Sequence, residues 1–130
     1  MNNQPLILIV DDEASFREMF STELKAAGFK VEMAENGEDG FSMAKKLKPD
    51  LILMDMEMPV LNGAGAVMKL KADAETNSLK IIFLTNYGDP RIEVTETDRH
   101  FSKEIGATDY LRKTDDMENI IDRIRAVLSK

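Results

Sequence analysis

The sequence predicts an α/β fold: a doubly wound parallel sheet of five strands alternating with five helices. Three observations predict it. Short β-rich runs recur at Leu6–Val10, Lys30–Met33, Leu51–Met54, Lys80–Leu84 and Asp109–Leu111. Segments of helical periodicity separate them. The runs are apolar on both faces, as strands covered by helices on either side must be. Right-handed crossovers then wind the chain onto both faces of one sheet. At 130 residues the chain suits one compact domain with a real core.

The first strand runs straight into Asp11, Asp12 and Glu13. The helix after it starts at Ala14 or Ser15, carries Phe16, Phe20, Leu24 and Ala27 on one face, and stops at Gly28. The second strand is followed by a turn, "AEN", and a helix over Gly37–Leu47 that Pro49 ends. The third leads through Pro59 and Gly63 to a helix over Ala64–Asp73, presenting Val67, Met68 and Leu70. A fourth helix, over about Arg91–Ile105, is the weakest: Val94, Phe101 and Ile105 are its only good anchors, and "TETD" is a poor helix former. The last has Asp115 and Asp116 as cap candidates and shows Ile120, Ile121, Ile124, Val127 and Leu128.

Composition excludes several functions. The net charge of -7 argues against direct nucleic-acid binding, which needs clustered Lys and Arg. There is no Cys, hence no disulfide or thiolate metal site, and the single His100 argues against a zinc centre. The first apolar run is too short for a signal peptide or membrane span, so a cytoplasmic location without membrane association is expected. No Walker loop, G-x-G-x-x-G, H-E-x-x-H or G-x-S-x-G occurs.

In a doubly wound sheet the ligand sits beyond the carboxyl ends of the strands. Asp11 and Asp12 follow the first strand, Asp55 the third, Thr85 the fourth and Lys113 the fifth. Clustered carboxylates at neutral pH call for a cation, and all-oxygen ligands favour a hard ion such as Mg²⁺, with Mn²⁺ also suited. Metal, ammonium and hydroxyl spread over phosphoryl oxygens form the clamp that phosphoryl transfer needs. An Asp carboxylate can itself be the nucleophile.

The motifs "VDDE", "LMDMEMPVLNG", "FLTN" and "ATDYLRK" stand in order, each at the end of an expected strand. With them the chain resembles a bacterial response-regulator receiver domain over nearly all of its length, read as one domain, 1–130. The resemblance implies a (βα)5 flavodoxin-like sheet in the order 2-1-3-4-5. It implies Asp55 as phosphoacceptor, Asp12 as direct Mg²⁺ ligand, Asp11 acting through a water, and the Glu57 backbone carbonyl completing the protein ligands. Thr85 would be the switch hydroxyl, Lys113 the partner of a phosphoryl oxygen, and Tyr110 the switch aromatic that turns inward. Implied partners are a histidine kinase or His-containing phosphotransfer protein and a downstream protein. The chain would be a monomer or weak dimer. It would be a signalling domain rather than an enzyme, catalysing only its own phosphorylation and dephosphorylation.

The match has departures. Thr114 stands where the family usually has Pro after the lysine, so a trans bond is expected there. Asn86 is larger than the family's usual small residue; Glu57 and Tyr87 occupy positions that in the family border the path of the attacking water, so Tyr87 would slow dephosphorylation. The stretch Asn86–Arg112 is longer than the family norm. Read singly, Asp11 and Asp12 are also ordinary helix-start residues, Thr85 a strand terminus and Tyr110 core packing. Two other functions stay open: a haloacid-dehalogenase-like phosphohydrolase, although Glu57 stands where its second Asp would be, and a degenerate receiver that binds partners without phosphorylation.

Overall fold

The computed structural model describes residues 4–56, 63–85 and 108–129. In chain order the elements are β1 (Leu6–Val10), α1 (Ala14–Ala26), β2 (Lys30–Ala34), α2 (Gly37–Leu47), β3 (Leu51–Asp55), α3 (Gly63–Ala72), β4 (Ile81–Thr85), β5 (Asp109–Arg112) and α4 (Met117–Leu128). All strand pairs are parallel, in the order β2-β1-β3-β4-β5. The doubly wound five-stranded sheet is the one expected. The helix expected over Arg91–Ile105 lies outside the described residues, as do Glu57, Pro59, Asn86, Tyr87 and His100.

Alternation along the strands builds two cores. Leu8, Val10, Ile52, Met54, Ile81 and Phe83 face Ala44 of α2 and Ala66, Val67 and Leu70 of α3. Ile7, Ile9, Leu51, Leu53, Ile82 and Leu84 face Phe20 and Leu24 of α1 and Ile120, Ile124 and Val127 of α4. The central strands are thus buried on both faces, which is why they read as unbroken apolar runs.

Four strands end one residue further on than the apolar pattern suggests: β2 at Ala34, β3 at Asp55, β4 at Thr85 and β5 at Arg112, while β4 also begins one residue later, at Ile81. Asp55 still pairs with Leu84, and Thr85 with Arg112, so polar residues finish β3 and β4 as members of the ladder. Helix ends also differ in detail. Asn36 caps α2, its side chain accepting from Asp39 N at 2.8 Å. Asp116 makes no such bond on α4; Asp115 instead accepts from Arg112 N at 3.1 Å and tightens the loop after β5. Helix α2 ends with Lys48 in the left-handed region at φ 48°, before Pro49, which disfavours the helical region for its predecessor. Thr76 is fully buried and donates its hydroxyl to Leu70 O at 2.6 Å, closing the turn after α3.

Gly40 marks where α2 lies closest to the sheet. A Cβ there would stand 2.8 and 2.9 Å from the two methyl carbons of Val10. Among the described residues no helix is long and apolar enough to cross a membrane.

Candidate functional site

Parallel pairing puts the carboxyl ends of β1, β3, β4 and β5 along one edge of the sheet. Asp11 follows β1 directly, and its N–H donates to Ala34 O at 3.1 Å, so it stays in register with the ladder. Asp55 and Thr85 close β3 and β4. Lys113 follows β5, and its N–H donates to Thr85 O at 2.9 Å. The strands therefore hold these residues; no loop has to bring them together.

Asp11, Asp55 and Thr85 are each 1% exposed. One carboxylate oxygen from each of Asp11, Asp12 and Asp55 lies within 4.8 Å of the others. The ammonium of Lys113 lies 2.5 Å from Asp11 Oδ2 and 3.4 Å from Asp55 Oδ2. Glu13 Oε1, at 3.5 Å, is its exposed third partner. The other Asp11 oxygen accepts from Glu13 N at 2.8 Å, and Arg17 Nη1 donates to Asp11 O at 2.6 Å.

Among the described residues, three carboxylates face one ammonium, which leaves the cluster short of positive charge. Burial pushes the Asp11 carboxyl above its ordinary value even though Lys113 and the Glu13 N–H pull it down, with Asp12 adding to the rise. Burial alone would pull the Lys113 ammonium down. Asp11, Asp55 and Glu13 outweigh it and hold the group above the usual lysine value. A hard divalent cation fits this donor set: among the described residues only oxygen ligands converge, and one of the three, Asp12, faces solvent.

The structure gathers Asp11, Asp12, Asp55, Thr85 and Lys113 at one sheet edge. Tyr110, expected as the switch aromatic, is buried on β5, edge-on to Phe83 with ring centroids 6.5 Å apart. The Lys113–Thr114 bond is trans, as expected; the described residues contain no cis peptide. Sequence reasoning missed Arg17 and Phe16. The Phe16 ring centroid lies 4.3 Å from the Lys113 ammonium. Its signal was its place in the first turn of α1, three residues after Glu13, where i,i+3 spacing stacks side chains on one face.

The response regulator receiver domain model matches residues 7–125. The chain is 42% identical to Protein PilH of Pseudomonas aeruginosa, covering 95% of this chain and 97% of that protein. It is 33% identical to the DNA-binding dual master transcriptional regulator RpaA of Synechocystis, of which it spans about half (50%) while 97% of this chain is covered. Among solved structures, Vibrio cholerae chemotaxis protein CheY4 is 30% identical at a TM-score of 0.82, covering 95% and 98% of the two chains. A putative response regulator from Chloroflexus aurantiacus is 28% identical at 0.86, covering 98% and 100%. Sheet order, the acid cluster beside the lysine that follows β5, and these matches agree: the chain belongs to the response regulator receiver domain family.

Proposed function

We propose that residues 1–130 act as one phosphoacceptor receiver domain whose nucleophile is Asp55. A carboxylate oxygen of Asp55 attacks the phosphorus of a phosphohistidine. An O–P bond forms, the N–P bond breaks, and the departing imidazole takes up a proton. The donor is a histidine kinase or a His-containing phosphotransfer protein. Asp12, Asp55 and the Glu57 carbonyl would hold Mg²⁺ directly and Asp11 through a water, and the ion would supply charge neutralisation for the transferring oxygens. Lys113 pairs with one phosphoryl oxygen and Thr85 donates its hydroxyl to another. Thr85 and Tyr110 then bias a two-state equilibrium and alter a surface read by a downstream protein. The domain binds no nucleic acid itself, works in the cytoplasm as a monomer or weak dimer, and has no activity beyond turnover of its own aspartyl phosphate.

One observation carries this reading: Lys113 bridges two buried carboxylates at 2.5 and 3.4 Å, at the edge where three acids converge. The test is incubation with Mg²⁺ and acetyl phosphate, read by intact mass. A phosphate-sized gain that Asp55→Asn abolishes is expected. No gain, or sustained turnover of a phosphate ester, would reject the reading.

A further inference from the structure

The Lys113 side chain is 5% exposed, yet its backbone is not rigidified by a following proline, since Thr114 stands there. Two carboxylates hold the ammonium on one side, and Glu13, half-exposed, offers it a route outward at 3.5 Å. The ammonium also lies over the Phe16 ring, 4.3 Å from its centroid. That distance is well inside the range at which a ring quadrupole attracts a cation, and the attraction grows where water is excluded. The ring is itself anchored: it packs on fully buried Phe20 with centroids 4.4 Å apart and joins the core beneath α1.

We propose that Phe16 is a positioning residue for Lys113, its ring face keeping the ammonium over Asp11 and Asp55; the functional part rests on the phosphoacceptor reading above. The aromatic face does from the side what a proline after the lysine would do along the chain. An aliphatic residue of similar bulk fills the space but exerts no pull on the cation. Lys113 then divides its time between the acid cluster and Glu13. It is less often in place to meet a phosphoryl oxygen.

The test compares wild type with Phe16→Leu, Phe16→Met and Phe16→Tyr. Far-UV circular dichroism confirms folding of each, and Phe16→Met serves if Phe16→Leu does not fold. The Lys113 ε-methylene protons are followed by NMR, because protons over a ring face move upfield. The upfield shift is expected in wild type and Phe16→Tyr and absent in the ringless variants. Phosphorylation by acetyl phosphate with Mg²⁺ should slow about three- to ten-fold in the ringless variants and recover in Phe16→Tyr. Ringless variants reacting at the wild-type rate, or wild type without an upfield shift, would overturn the proposal. If wild type accepts no phosphoryl group, the phosphoacceptor reading fails, and the shift alone decides whether the ring holds the lysine.

Discussion

Replacing Gly40 with alanine tests how closely α2 is pressed on β1. The added Cβ would meet Val10 Cγ2 at 2.8 Å and Cγ1 at 2.9 Å, whereas carbon atoms settle at about 3.5–4.0 Å. Val10 is fully buried and stiff at χ1, so its methyls cannot swing aside. Helix or strand must shift instead, and overpacking of this kind costs about 1–3 kcal/mol. Alanine returns about 1 kcal/mol through helix propensity. Gly40→Ala should therefore destabilise by about 1 kcal/mol net. In a Val10→Ala background both methyls are gone, and the remaining contact, to Val10 Cβ at 3.4 Å, borders on ordinary packing. There the same substitution should stabilise by about 0.5–1 kcal/mol. Urea unfolding followed by circular dichroism measures all four proteins, since the chain has no Trp to report. An effect of the same sign in both backgrounds would refute the steric argument.

Four further outcomes are expected. Thr76→Val removes the shorter of two hydrogen bonds to Leu70 O, leaving the Asp73 N–H at 3.3 Å, and should cost about 0.5–1.5 kcal/mol in urea unfolding. The native Asp11 carboxyl titrates above the ordinary 3.8, so the folded chain keeps a proton that the unfolded chain has released. Its stabilising contribution is complete below that value and is lost as pH rises through the native one. Asp11→Asn should accordingly flatten this part of a metal-free stability curve and exceed wild type at pH 7. Mg²⁺ at about ten times its Kd should stabilise the fold by about 1.4 kcal/mol, an increment that Asp12→Asn removes, read as a shift in Tm. Tyr87→Ala should shorten the lifetime of the aspartyl phosphate, measured by loss of the mass gain; an unchanged lifetime would show that Tyr87 does not shield it.

The sheet was legible because its central strands are apolar on both faces, a pattern that helices do not imitate at this length. Asp11, Asp55, Thr85 and Lys113 were legible as a group because each ends a strand and parallel strands share an edge. What escaped was tertiary. Phe16 and Phe20 read as one apolar stripe, and only packing shows Phe16 turned to the lysine while Phe20 fills the core. Asp115 has the composition of a cap, but Arg112 claims it first. Gly40 gives no local sign of its neighbour, since Val10 lies on another element thirty positions earlier.

The order in which the site's parts are made follows from the same topology. Lys113 meets Glu13 across 100 positions of chain. At a ribosome adding about 5–20 residues per second, the acids of β1 wait on the order of 5–20 s for their lysine. The lysine arrives on β5, an outermost strand that pairs only with β4. Until that strand docks, the first carboxylates lack the ammonium of Lys113. The ion pairs at the acid cluster thus wait for the last strand of the sheet, and they mark the moment the sheet is whole.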